Sequence, residues 1–159
     1  MTREQFIALV SEEQESLRRF LLALCCGDRM EAEDIAQEAM VKAYIASNRF
    51  EARHKFSTWL FKIAYNTFLD HKRRVHGYAA DIEEAVQVAD VARTDDAFAY
   101  QDLYEAIATL PIKERTGILL FYINGYTVKE IAKITGSTQM AVKQHLSRGR
   151  SKLRQILER

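Results

Sequence analysis

Stepped at about 100° per residue, Lys55, Lys62, Asn66 and Arg73 fall on one side of a helix, with Trp59 at the edge of that face. Cations, an amide and a large flat ring together suit an unpaired nucleic acid strand: the charges follow the backbone and the ring offers a plane for a base. A paired duplex keeps its base faces covered. The combination therefore points to a melted or flipped base, with the preceding segment RFEARH, Arg49 to His54, as one wall of a pocket. The other role open to Trp59 is a plug in its own core. Phe56, Leu60, Ile63 and Thr67 form a second stripe on this helix and Phe61, Tyr65 and Phe68 a third, so it is expected to bury two faces and expose one.

A second constellation lies near the C-terminus. Lys143, Gln144, Ser147, Arg148 and Arg154 lie opposite an apolar stripe of Val142, Leu146, Leu153, Ile156 and Leu157, which has the small Gly149 inside it. Lys143, Gln144 and Arg148 are long donors able to reach base edges, while Arg150 and Lys152 flank the face and suit phosphates. Thr127 and Glu130 have the spacing of a capping box, which starts a helix whose inner face is Val128, Ile131 and Ala132. Gly136 can take the left-handed conformation that ends that helix, and Thr138 can cap the next. This is the layout of a helix-turn-helix, whose second helix enters the major groove. A helical hairpin with a solvated basic face is the competing account.

The elements that must position these groups are helical almost throughout. Apolar periodicity predicts helices near 3–25, 31–48, 55–75, 96–109, 112–124, 127–135 and 138–157, and no segment alternates long enough to argue for strands. The chain of 159 residues, 48% of them apolar, can build one ordinary domain or two small ones. Charge divides it further. Residues 1–48 hold five bases against nine acids, 49–76 seven against two, 77–106 one against eight, and 107–159 ten against three. Two basic surfaces separated by an acidic spacer are expected, each suited to a polyanion. The segment Val75 to Asp96 lacks a persistent apolar stripe and reads as a linker. The architecture expected is all-α: a three-helix domain at 1–76, an acidic linker at 77–95, and a four-helix domain with the helix-turn-helix at 96–159.

Other chemistries find little support. Cys25 and Cys26 are adjacent within an apolar run, which suits buried, reduced thiols rather than a metal site or a disulfide. His54, His71, His76 and His145 show no metal-ligand spacing, and no cofactor is implied. No phosphate-cradling glycine loop, HExxH or nucleophile elbow is present, so an enzyme is not expected. No run approaches the roughly 20 apolar residues of a membrane span, and the N-terminus lacks the layout of a signal peptide; a cytoplasmic protein is expected.

The segments AEDIAQEAMVKAY, RFEARHKFSTWLFKIAYNTFLDHKRR and LPIKERTGILLFYINGYTVKEIAKITGSTQMAVKQHLSRGRSKLR, in that order and separation, resemble a bacterial RNA polymerase sigma factor of the extracytoplasmic-function (ECF) class. The resemblance spans roughly Leu9 to Leu157 and implies a sigma-2-like first domain and a sigma-4-like second one. It also implies that Asp34, Gln37, Glu38 and Val41 dock on the beta-prime coiled coil of core polymerase. These four are neighbours on one helix face. By the same resemblance the minus-ten reader is the loop Phe50 to Lys55, including Arg53 and His54, with the face of Trp59, Lys62 and Asn66. The minus-thirty-five reader is the helix carrying Lys143, Gln144, Ser147 and Arg148. Implied partners are core polymerase, through the coiled coil and the beta flap, promoter DNA, and an anti-sigma factor that can be membrane-anchored; the free protein is expected to be a monomer. Ala52 stands where many relatives have Gly, Ala141 replaces a commoner Thr, and Gly149 replaces a commoner Ala, at a helix-interior cost of up to about 1 kcal/mol. A polymerase-independent regulator with the same helix-turn-helix would explain the C-terminus equally well, but not a basic, aromatic face on a separate domain.

Overall fold

The computed structural model describes residues 1–76 and 100–158. The linker expected at 77–95, and positions 96–99 of the helix expected at 96–109, lie outside the described residues. Those described are helical, with no strand among them: α1 (Arg3–Leu24), α2 (Arg29–Ala46) followed by a 3-10 turn (Ser47–Arg49), α3 (Phe56–His76), α4 (Gln101–Ala108), α5 (Ile112–Ile118), α6 (Val128–Thr135) and α7 (Gln139–Leu157). Helices α1 to α3 form one unit and α4 to α7 another.

Local chemistry sets the helix boundaries. Thr2 and Gln5 form a capping box at the start of α1, and the Asp28 carboxylate accepts from the Glu31 amide to start α2. Helix α1 ends in a Schellman turn: Cys26 takes a left-handed conformation (φ 56°), its N–H donates to Ala23 O, and Gly27 N–H donates to Leu22 O. On the buried face of α2 lie Ala32, Ala36, Ala39 and Ala43, small enough for α1 and α3 to close over it with Leu17, Phe20, Leu21, Leu60 and Phe68. In the second unit Ile107, Leu110, Ile112, Leu120, Ile131, Ile134, Val142 and Leu146 make the core.

Three features depart from the sequence expectation. The helix expected over 112–124 widens at Leu119–Ile123 into a π turn, where Asn124 N–H donates to Leu119 O; the extra residue turns Tyr122 and Ile123 out to solvent. The apolar stripe of α7 is only partly covered by the described residues: Val142 and Leu146 are buried and Leu153 half-buried, whereas Ile156 and Leu157 are exposed. Gly149, expected as a weak point, allows a close approach, since a Cβ there would stand 2.9 Å from Ile118 Cγ1 and 3.2 Å from Cδ1.

The two units pack directly on each other. Part of the third stripe of α3 faces the second unit: the Phe61 ring meets Tyr126 with centroids 5.2 Å apart, and Tyr65 lies near Thr116. Asn124 Nδ2 donates to Ser16 Oγ at 3.1 Å, and Cys26 Sγ lies 3.7 Å from Ala108 O. Cys25 and Cys26 are both buried and free of a disulfide. Burial raises both thiol pKa values.

Candidate nucleic-acid interface

Helix α7 presents the basic face the sequence calls for. Thr138 Oγ1 accepts from the Ala141 amide and so fixes its first turn, while Val142 and Leu146 anchor it to the core. Lys143, Gln144, Ser147, Arg148 and Arg150 are all exposed on the other side. Arg150 Nη1 donates to the Tyr122 hydroxyl, and Lys152 is engaged with Glu114, 2.9 Å away. Helix α6 is held against α7 through the turn at Gly136 (φ 68°), and its capping box is complete: Thr127 Oγ1 accepts from the Glu130 amide and the Glu130 carboxylate from the Thr127 amide. The result is a helix-turn-helix with these five long or polar side chains projecting from one side of its second helix.

On α3, Lys62 and Asn66 are exposed on the face opposite Phe61 and Phe68, with Lys55 just ahead of the helix. Trp59 is half-buried. Its ring stands 5.2 Å from Phe50 and 5.5 Å from Phe56, a three-ring cluster that holds the indole at the edge of the face. Phe50 is half-buried with it, so the loop before α3 is anchored at this aromatic, while Arg53 and His54 are exposed. Arg53 pairs with Glu51, and His54 N–H closes a turn onto Glu51 O.

Two further cations are engaged as well. Lys55 Nζ is 3.1 Å from Glu130 Oε2 and sits over the Tyr126 ring, both groups of the second unit. The Thr127 amide, and after it Lys55, holds the Glu130 carboxyl below its ordinary pKa. Burial pushes the Tyr126 hydroxyl up to about 12. Arg73 lies at a cleft of about 460 Å³ between the units, lined also by Tyr65, Lys113 and Val142, and its Nη1 reaches Asp70 Oδ1 at 3.4 Å. The structure thus brings Trp59, Lys62 and Asn66 together on an open face and turns Lys55 and Arg73 toward the second unit.

On α2, Asp34, Gln37 and Val41 are exposed and Glu38 is half-buried between Arg74 and Lys42. Met30 and Ile45 continue the same face, at 81% and 69% exposure, and Tyr44 stands beside it against Phe6. Sequence reasoning stopped at Val41, although stepping four residues on would have reached Ile45. It also named no residues for a contact on the second unit, where Leu103, Ile107, Tyr122, Ile123, Leu153 and Leu157 line an apolar groove. The signal was there in the uncovered end of the α7 stripe.

Comparison with known proteins agrees with this geometry. Sigma-70 region 2 matches residues 9–78 and sigma-70, region 4 matches residues 100–153. The chain is 37% identical over 145 residues to the ECF RNA polymerase sigma factor SigW of Bacillus subtilis (strain 168), covering 82% of this chain and 78% of that one. It is 29% identical over 157 residues to the ECF RNA polymerase sigma factor SigM of Mycobacterium tuberculosis (strain ATCC 25618 / H37Rv), covering 98% and 78%. Among solved structures, the sigma factor RpoE in complex with the anti-sigma factor NepR, from Bartonella quintana, superposes with a TM-score of 0.78 at 25% identity over 98% of each chain. The chain belongs to the sigma-70 family, among its ECF RNA polymerase sigma factors. No helix among the described residues is long and apolar enough to cross a membrane.

Proposed function

We propose that this sigma factor directs core polymerase to promoters by two kinds of DNA contact, with no catalytic chemistry of its own and acting in the cytoplasm. The exposed edge of α7 holds the minus-thirty-five duplex, with Lys143, Gln144, Ser147 and Arg148 at base edges and Arg150 at phosphate. The α3 face of Trp59, Lys62 and Asn66, with Phe50, Arg53, His54 and Lys55 before it and Arg73 beyond, captures non-template bases in the minus-ten element as the duplex opens. Unstacking costs a few kcal/mol, so a surface that accepts the flipped base and not the paired one shifts the duplex toward the open form. The α2 face of Asp34, Gln37, Glu38 and Val41, extended by Met30 and Ile45, docks on the beta-prime coiled coil, and the apolar groove of the second unit takes the beta flap.

The observation that carries this reading is the presence of two differently built basic faces on two different helical units: one with donors alone, one with donors around a fixed ring. The two elements stand roughly 25 base pairs apart by name, about 85 Å at about 3.4 Å per step. The two units here touch. Binding both elements therefore requires the units to separate, and the 24 peptide steps from His76 to Tyr100 allow about 80 Å of reach. The closed arrangement is the form to which an anti-sigma factor would bind, as the likeness to RpoE in its complex with NepR supports.

The test is the double variant Trp59→Ala, Asn66→Ala in holoenzyme on a cognate promoter. Closed-promoter binding should be retained while permanganate reactivity of minus-ten thymines falls at least about tenfold, or about 1.4 kcal/mol. Normal opening by that variant would remove the role assigned to this face.

A further inference from the structure

Arg115 is a cation with no exposed surface, on α5 of the second unit. Its Nη1 donates across the seam to Leu24 O at 2.8 Å, and its Nη2 donates to Leu110 O at 2.9 Å and Ala108 O at 3.4 Å within its own unit. Nε is buried with no acceptor. Glu31, the half-buried acid of the first unit whose charge acts on Arg115, is held by Lys72 at 2.6 Å. The two Nη groups are therefore met by carbonyls, one of them at the negative end of α1, rather than by a carboxylate. Leu24 is the last residue of that helix, and its carbonyl is what the Schellman turn leaves over: Leu22 O and Ala23 O go to Gly27 and Cys26, and Leu21 O goes to Cys25. The C-terminus of α1 is completed by a side chain from the other unit. Ala108 O, which accepts from Arg115, also lies against Cys26 Sγ.

We infer that Arg115 is an interdomain latch: it caps α1 of the first unit from within the second, and so sets how readily the two DNA-reading units part. Breaking the seam strips Leu24 O of its donor but releases a buried cation to water, so the latch is directional yet reversible. Lys72 and Glu31 pair with each other on the first unit's side and need not move. The latch rests on the reading that the units must separate to reach both promoter elements.

The protein carries its own reporter. Cys25 and Cys26 are its two cysteines, and Cys26, 2% exposed, is covered at the seam. In a Cys25→Ala background, N-ethylmaleimide adds to Cys26: the sulfur–carbon bond forms as the maleimide double bond opens, and the neighbouring carbon takes a proton. Arg115→Met should speed this labelling at least about tenfold, a shift of about 1.4 kcal/mol in opening. Arg115→Lys, which keeps the charge but cannot span carbonyls on both sides of the seam, should fall between parent and Met variant. Amide hydrogen exchange in α6 and α7 checks that the second unit stays folded. If Arg115→Met loses that protection, Arg115→Lys alone decides. A folded Lys or Met variant labelled no faster than its parent overturns the latch. Neither polymerase nor DNA is present, so failure of the promoter assignments in the permanganate assay would leave this result standing, and the reverse.

Discussion

Single residues carry opposite meanings depending on what stands across from them. Gly149 lies mid-helix, where glycine is worth about 1 kcal/mol less than alanine, so Gly149→Ala ought to stabilise on propensity alone. Ile118 Cγ1 lies 2.9 Å from where the new carbon would be, and it is a methylene within the side chain rather than its free end. Overpacking of this kind costs about 1–3 kcal/mol, so the variant should be less stable by about 1 kcal/mol, with α5 and α7 pushed apart. A chemical denaturation midpoint for Gly149→Ala at or above that of the parent would contradict this. Arg115 shows the same dependence. In the sequence it is one base among many, and nothing near it announces that its acceptors lie 91 residues away as well as five and seven.

At the scale of the element, caps and stripes were legible and their partners were not. The box at Thr127 and Glu130, the turn at Gly136 and the cap at Thr138 stand where the spacing put them, because each is satisfied within four residues. The three stripes of α3 were equally readable, yet periodicity could not tell that Phe61 and Tyr65 face another unit, since burial by a distant segment has the same period as burial by a near one. The π turn at Leu119–Ile123 escaped because an extra residue leaves composition unchanged. Thr127→Ala should destabilise the second unit by about 1 kcal/mol, measured by thermal unfolding. Glu130→Gln tests a different property, because glutamine keeps the cap geometry and removes the negative charge that faces Lys55. The folded-state pKa of Glu130 is depressed, so its contribution is present above the ordinary carboxylate value and is lost as pH falls through the lower folded one. The parent should lose stability over that acid window more steeply than Glu130→Gln. Identical acid profiles for the two proteins would show that the carboxylate is uncoupled from folding.

For the whole molecule, the consequence of the seam is a compact free state. A closed chain of 159 residues should show a radius of gyration of about 15 Å by small-angle scattering. In the open state the two units would lie up to about 80 Å apart along their tether. A free protein whose scattering required separated units would exclude the closed form as the resting state. Salt bears on the two surfaces differently. Removing Arg148 should lower promoter affinity and flatten its salt dependence by about one unit of slope if it meets a phosphate, but should relax base preference if it meets a base edge. The choice between those outcomes assigns Arg148 without reference to any relative.

In the function proposed above, helix α3 turns one side to nucleic acid, while another side packs against its own protein. Changes on the second side can make more or fewer molecules ready for work while every base-reading group stays as it was. Output and recognition are thereby adjustable separately, on a single rod of twenty-one residues.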